Sequence, residues 1–149
     1  MDTVCGSDKH CIVTLVERAT GCVLIGKLPD HTKAALNRRV ISILAERPDL
    51  FKTITVDNGT EFHGYERIEH ATGVRFYFAT PYHAWERGSN ENTNGLIRQY
   101  LPKRRSMKPV TQARCNEIGR ILNNRPRKRL GFLTPLEHLQ LLHHPPARK

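Results

Sequence analysis

"TITVDNGTEFHG", residues 53–64, is the stretch on which the fold turns. A β-branched run, Thr53 to Val56, stops at Asp57-Asn58-Gly59. A hairpin would need a second strand straight after such a turn. Instead Phe62, Tyr65 and Ile68 fall on one helical face and Gly73 offers a stop, so residues 60–72 read as a helix. A strand that runs into a helix is the corner at which α/β sheets present functional groups. Asn58 and Gly59 tolerate the tight backbone that turns Asp57 out of the sheet end. On this local pattern Asp57 is either a helix cap or a ligand.

Working outward, residues 11–17 and 22–28 are apolar runs separated by a turn at Gly21, which predicts a hairpin. "DTVC", 2–5, reads as a short first strand. Leu36, Val40, Ile43 and Leu44 then recur with helical period, with Asp30 or Thr32 as the cap and Pro48 past the end. "VRFYF", 74–78, alternates as a strand, and "ATPYHAWERGS" is a loop. A helix is expected from Ser89 or Asn90 to about Leu101, then two more near 111–123 and 134–142. Thr134-Pro135-Leu136-Glu137 carries a capping box with Pro at the first helical position. "KPVTQ", 108–112, reads as a short hinge. The order β-β-β-α-β-α-β-α-α-α predicts an antiparallel meander with parallel additions.

A chain of 149 residues, 38% hydrophobic, suits one domain with a single core. Residues 1–107 read as its main body and 108–149 as a basic helical extension of the same domain. No apolar run reaches the roughly 20 residues of a membrane helix, and no secretion signal opens the chain. The expectation is a soluble, intracellular protein with no membrane partner. Residues 1–97 carry 11 Lys/Arg against 12 Asp/Glu, while residues 98–149 carry 13 against 2. The whole net charge of +10 therefore comes from the last third, which points to a polyanion such as nucleic acid. Cys5, Cys11, Cys22 and Cys115 form no Cys-x-x-Cys pair, and their spacing gives no reason to expect a disulfide.

A lone carboxylate holds Mg²⁺ poorly, whereas converging carboxylates can hold two ions about 4 Å apart. Asp2 lies in the first strand, which can run beside the strand ending at Asp57. Glu91 opens the helix after the long loop, with Asn94 and Arg98 on the same helical face. That stripe is either a solvated face or a surface for a DNA backbone.

"VDNGTEF", "FATPYHAWERGSNENTNGLIRQYLPK" and "LNNRPRKRLGFLTPLE" resemble the catalytic region of bacterial insertion-sequence transposases of the IS thirty (IS30) family. These belong to the Asp-Asp-Glu transposase and retroviral integrase group. The resemblance implies a ribonuclease H-like α/β fold. Its sheet would be mixed and five-stranded, three strands antiparallel and two parallel, flanked by helices, with basic helices at the C-terminus. It further implies Asp2, Asp57 and Glu91 as the catalytic triad and metal ligands, with Mg²⁺ or Mn²⁺, two ions, as cofactor. The implied reaction is cleavage of a phosphodiester at an element end and attack of the freed 3′-hydroxyl on target DNA. DNA of the element ends and target, and other copies of the chain in a synaptic complex, are the implied partners. The family normally carries helix-turn-helix segments upstream, and its first strand starts earlier, so the sequence reads as a truncated product or an excised core.

Asn94, Arg98, Arg87, Lys103, Arg104, Arg105, Arg125, Arg127 and Lys128 are the expected DNA contacts, with Lys108 and Arg129 in the same clusters. Such phosphate contacts give salt-sensitive, sequence-independent affinity. Trp85 is expected to anchor the loop. Besides the strand-transfer enzyme, two readings stay open: a catalytically inactive DNA-binding remnant, and a ribonuclease acting on RNA–DNA hybrids.

Overall fold

The computed structural model describes residues 1–83 and 88–145. β1 (Asp2–Cys5), β2 (Cys11–Val16) and β3 (Val23–Leu28) form an antiparallel meander in that spatial order. Every residue of β2 is buried. It is the middle strand and is covered on both faces, which is why it reads as an unbroken apolar run. β4 (Thr53–Val56) and β5 (Arg75–Phe78) pair in parallel, from Thr53 opposite Arg75 to Val56 opposite Phe78.

The expected five strands are present, but as two hydrogen-bonded ladders rather than one continuous sheet. They meet where the Met1 ammonium donates to the Thr55 carbonyl at 2.9 Å. Thr3 already reaches Glu61, beyond the end of β4.

Alternation along β2 divides the interior in two. Val13 and Leu15 face a core shared with Ile54, Val56 and Phe62, together with Leu36, Val40 and Ile43 of α1 (Lys33–Glu46) and Ile68 of α2 (Tyr65–Thr72). Ile12 and Val16 face the opposite core, with Val4, Ile97 of α3 (Gly88–Ile97), and Cys115, Ile118 and Leu122 of α4 (Gln112–Asn123). The result is a helix–sheet–helix sandwich.

Local signals explain the helix ends. Thr32 caps α1 by accepting from the Ala35 amide at 3.2 Å, and Asp30 braces Thr32 through its hydroxyl at 2.6 Å. Gly73 ends α2 with φ of 75°, a conformation that costs glycine little. α5 (Pro135–His143) starts with the expected capping box, Glu137 N–H to Thr134 Oγ1 at 3.1 Å and Thr134 N–H to Glu137 Oε2 at 2.7 Å.

Three expectations need correction. The helix over 60–72 is broken into a tight 3-10 turn, Thr60–Phe62, and α2. The break falls at Gly64, where Asn37 of α1 donates to the backbone carbonyl at 3.0 Å and comes too close for a side chain. Residues 108–112 do not form a hinge. Gln112 accepts from the Lys27 amide at 2.7 Å and donates to the Ile25 carbonyl at 2.9 Å, docking the start of α4 on β3. At the other end of α4, Asn123 bonds both the amide and the carbonyl of Val23, each at 2.8 Å. These two side chains occupy backbone groups on the outer edge of β3, a groove a further strand would otherwise fill. Finally, Cys5 and Cys11 are joined in a disulfide. They are cross-strand partners, and spacing alone does not disclose the register that places them opposite each other.

Candidate active site

The β4 corner has the form its sequence suggested. Asp57 follows the last residue of β4 and accepts the Gly59 amide on Oδ1 at 2.9 Å. This is an Asx turn, which folds the chain back without a second strand. A Cβ on Gly59 would lie 2.5 Å from Glu61 Oε2 and 2.9 Å from Asp57 Oδ1, so the glycine sits between two carboxylates. Glu61 in turn accepts the Thr3 hydroxyl at 2.9 Å and faces His31 Nε2 at 3.1 Å. Burial pushes the Glu61 carboxyl up, but its own amide, Thr3 and His31 outweigh that and hold it below the ordinary value.

Asp2 opens β1 on the opposite side of that strand from Thr3. Its Oδ2 accepts Asn94 Nδ2 at 2.8 Å, and its Oδ1 accepts the Thr3 amide at 2.9 Å. Thr14 of β2 stands behind the pair, 3.2 Å from Asn94 Oδ1 and 3.3 Å from the Asp2 carbonyl. Asn94 therefore orients Asp2. The α3 face continues along β1, with Arg98 donating to the Cys5 carbonyl at 3.0 Å and approaching that of Leu101. Arg98, read from sequence as a DNA contact, braces β1 here and keeps further N–H donors on its guanidinium. Glu91 is exposed in the first turn of α3, one turn before Asn94 on the same face.

Three acidic positions thus belong to linked elements. Asp2 is bonded to the helix that carries Glu91, and its neighbour Thr3 is bonded to the segment that follows Asp57. Glu61 was not singled out by sequence reading. Its only signal there was an acid four residues after Asp57, indistinguishable from a solvated helix position.

The basic residues are distributed unevenly. Lys103, Arg104, Arg105, Arg125 and Lys128 are exposed. Arg127 is half-buried and donates to the Leu122 carbonyl; burial, then Arg125 and Arg129, lowers its pKa. A cleft of about 170 Å³ is lined by Arg127, Lys128 and Arg129 together with Ser89, Asn92 and Thr93 of α3. The second basic cluster therefore borders the helix that bears Glu91. A larger cleft of about 330 Å³, between the β2 end and β4, is lined by none of the three acidic residues. Arg87 and Trp85 lie outside the described residues.

The transposase of insertion sequence IS4351 from Bacteroides fragilis is 47% identical over 138 residues, 92% of this chain and 42% of that protein. The InsI transposase of element IS30A from Escherichia coli K12 is 39% identical over 140 residues, 93% of this chain and 37% of that protein. Over nearly all of its length the chain is similar to transposases of the IS30 family. It spans about two fifths of the length of these relatives. No family model matches it. The catalytic core domain of bovine immunodeficiency virus (BIV) integrase superposes with a TM-score of 0.67 over 96% of this chain and 93% of that one, at 22% identity. The fold is therefore the ribonuclease H-like fold of integrase catalytic cores. No helix among the described residues is long and apolar enough to cross a membrane.

Proposed function

We propose that this chain is the catalytic core of an insertion-sequence transposase, cutting DNA at an element end and joining the freed 3′-hydroxyl to target DNA. One observation carries the reading. Asn94 ties the Asp2 carboxylate to the helix bearing Glu91, while Thr3 and Glu61 tie the same strand to the corner bearing Asp57.

Asp2, Asp57 and Glu91 are the metal ligands in this reading. An all-carboxylate donor set suits Mg²⁺ or Mn²⁺, which prefer oxygen. Bound there, two divalent ions would activate the attacking oxygen and stabilise the leaving one in an in-line displacement. The protein's own part is positional. Asn94 fixes the rotamer of Asp2, and the Asx turn fixes that of Asp57. No serine or tyrosine nucleophile is required, since water and then the DNA 3′-hydroxyl attack. Lys103, Arg104, Arg105, Arg125 and Lys128 hold backbone phosphates, with Arg127 lining a cleft beside Lys128. A synaptic homo-oligomer acting in the cytoplasm completes the proposal, drawn from the family resemblance.

The test is cleavage and joining of element-end DNA by the purified chain. Activity should appear with Mg²⁺ or Mn²⁺, vanish with a chelator and return when the ion is restored. DNA binding should weaken steeply with salt. Binding without any metal-dependent cleavage would leave the inactive remnant, and preferential cutting of RNA–DNA hybrids would leave the ribonuclease.

A further inference from the structure

The opposite side of β1 from Asp2 holds a second cluster, which the strand-transfer chemistry does not use. Thr3 and Cys5 alternate with Asp2 and Val4, so they share the face turned away from α3. Cys5 lies opposite Cys11, with Cα atoms 4.1 Å apart. His31, in the connection from β3 to α1, brings an imidazole to the two sulfurs. One ligand atom from each of Cys5, Cys11 and His31 lies within 4.8 Å of the others.

We propose that Cys5, Cys11 and His31 form a site for a thiophilic divalent cation, zinc by its chemistry, filled when the Cys5–Cys11 bond is reduced. Ligand atoms around a tetrahedral zinc ion lie about 3.3–3.8 Å apart, so the cluster needs only small side-chain adjustments. The surroundings of His31 support the assignment independently. Its Nε2 faces Glu61 Oε1 at 3.1 Å and Thr3 Oγ1 at 3.4 Å. A metal-bound histidine typically gives its second ring nitrogen to a carboxylate, which fixes the tautomer and raises ligand basicity. In the tautomer that donates Nε2–H to Glu61, the lone pair lies on Nδ1, which is then the nitrogen that binds the cation. Cys11 is buried, Cys5 half-buried and His31 exposed, so the fourth position opens to water.

The redox balance is simple. A dithiol reductant gives up two electrons and two protons and becomes a disulfide, while the Cys5–Cys11 bond breaks into two thiols. Cation binding then expels the two thiol protons. The proposal rests on the DNA-processing reading only in that such a reaction runs in a reducing compartment. An occupied site would clamp β1, β2 and the β3–α1 connection three residues from Asp2.

The experiment is a Co²⁺ titration of the whole chain, reduced with dithiothreitol and desalted anaerobically. One equivalent should produce a thiolate-to-cobalt charge-transfer band and tetrahedral d–d bands, both displaced by Zn²⁺. Cobalt held by carboxylates alone gives no such band. Replacing both thiols, Cys5→Ser with Cys11→Ser, should remove the band. Glu61→Gln should weaken cobalt affinity about 10–100-fold while leaving both thiols in place. Asp57→Asn should leave the spectrum unchanged, so loss of DNA cleavage and loss of this site are separable results. No band from the reduced, folded chain overturns the proposal. So does a band that survives in the double serine variant, because Cys22 or Cys115 would then be its source, and so does an affinity untouched by Glu61→Gln.

Discussion

Asp57→Asn should lower metal-dependent DNA cleavage about 1000-fold or more while leaving the melting temperature nearly unchanged. The substitution keeps the shape of the side chain. An asparagine Oδ1 still accepts the Gly59 amide, so the Asx turn survives. What disappears is one negative charge from the three carboxylates proposed to hold dications. Metal stabilisation of the transition state supplies several kcal/mol, and each 1.4 kcal/mol is about a factor of ten in rate. Asn94→Leu provides the graded comparison. It removes one hydrogen bond to Asp2 and leaves every carboxylate in place, so the expected loss is about 10–100-fold. Single-turnover cleavage of labelled element-end DNA, at several Mg²⁺ concentrations, measures both. Raising Mg²⁺ should recover part of the Asn94→Leu defect and little of the other. Equal rates for wild type and Asp57→Asn would remove Asp57 from the chemistry.

The parts of this site that were legible in the sequence are those coded locally. Asp57 announces itself because a β-branched run, an Asx turn and a helical period follow one another within twenty residues. The capping box at Thr134 is equally local. Glu61 and Asn94 show the opposite case. Their importance lies in what they touch, Thr3 and Asp2, and those partners are 58 and 92 residues away. Arg98 is a related instance: its charge suggested DNA, while its guanidinium meets the Cys5 carbonyl 93 residues away. The Cys5–Cys11 pairing depends on strand register, which a six-residue spacing does not encode. The division into two hydrogen-bonded ladders is likewise a tertiary feature.

The edge of β3 carries the largest stability prediction. Asn123→Ala should destabilise the fold by about 2–5 kcal/mol, because it strips two partners at once. Its amide accepts from Val23 N–H and donates to Val23 C=O, and both residues are buried. A buried backbone group left without a partner costs about 1–3 kcal/mol. Against a typical total of about 5–15 kcal/mol, that is a large fraction. At about 2–4 °C per kcal/mol for a chain of this size, the melting temperature should fall by roughly 5–20 °C. Asn123→Asp separates the two bonds, since a carboxylate accepts but does not donate when ionised, and burial adds a charge penalty. Gln112→Ala is the mild partner. Gln112 is only half-buried, so water can replace it at Lys27 N–H and Ile25 C=O, and the cost should stay near 1 kcal/mol. Urea unfolding with an unchanged slope would assign the effect to the native state. The function follows a different rule from the stability: below its melting temperature, folded Asn123→Ala should cleave DNA at the wild-type rate per folded molecule. A matching loss of intrinsic rate would mean that α4 does more than cover the sheet edge.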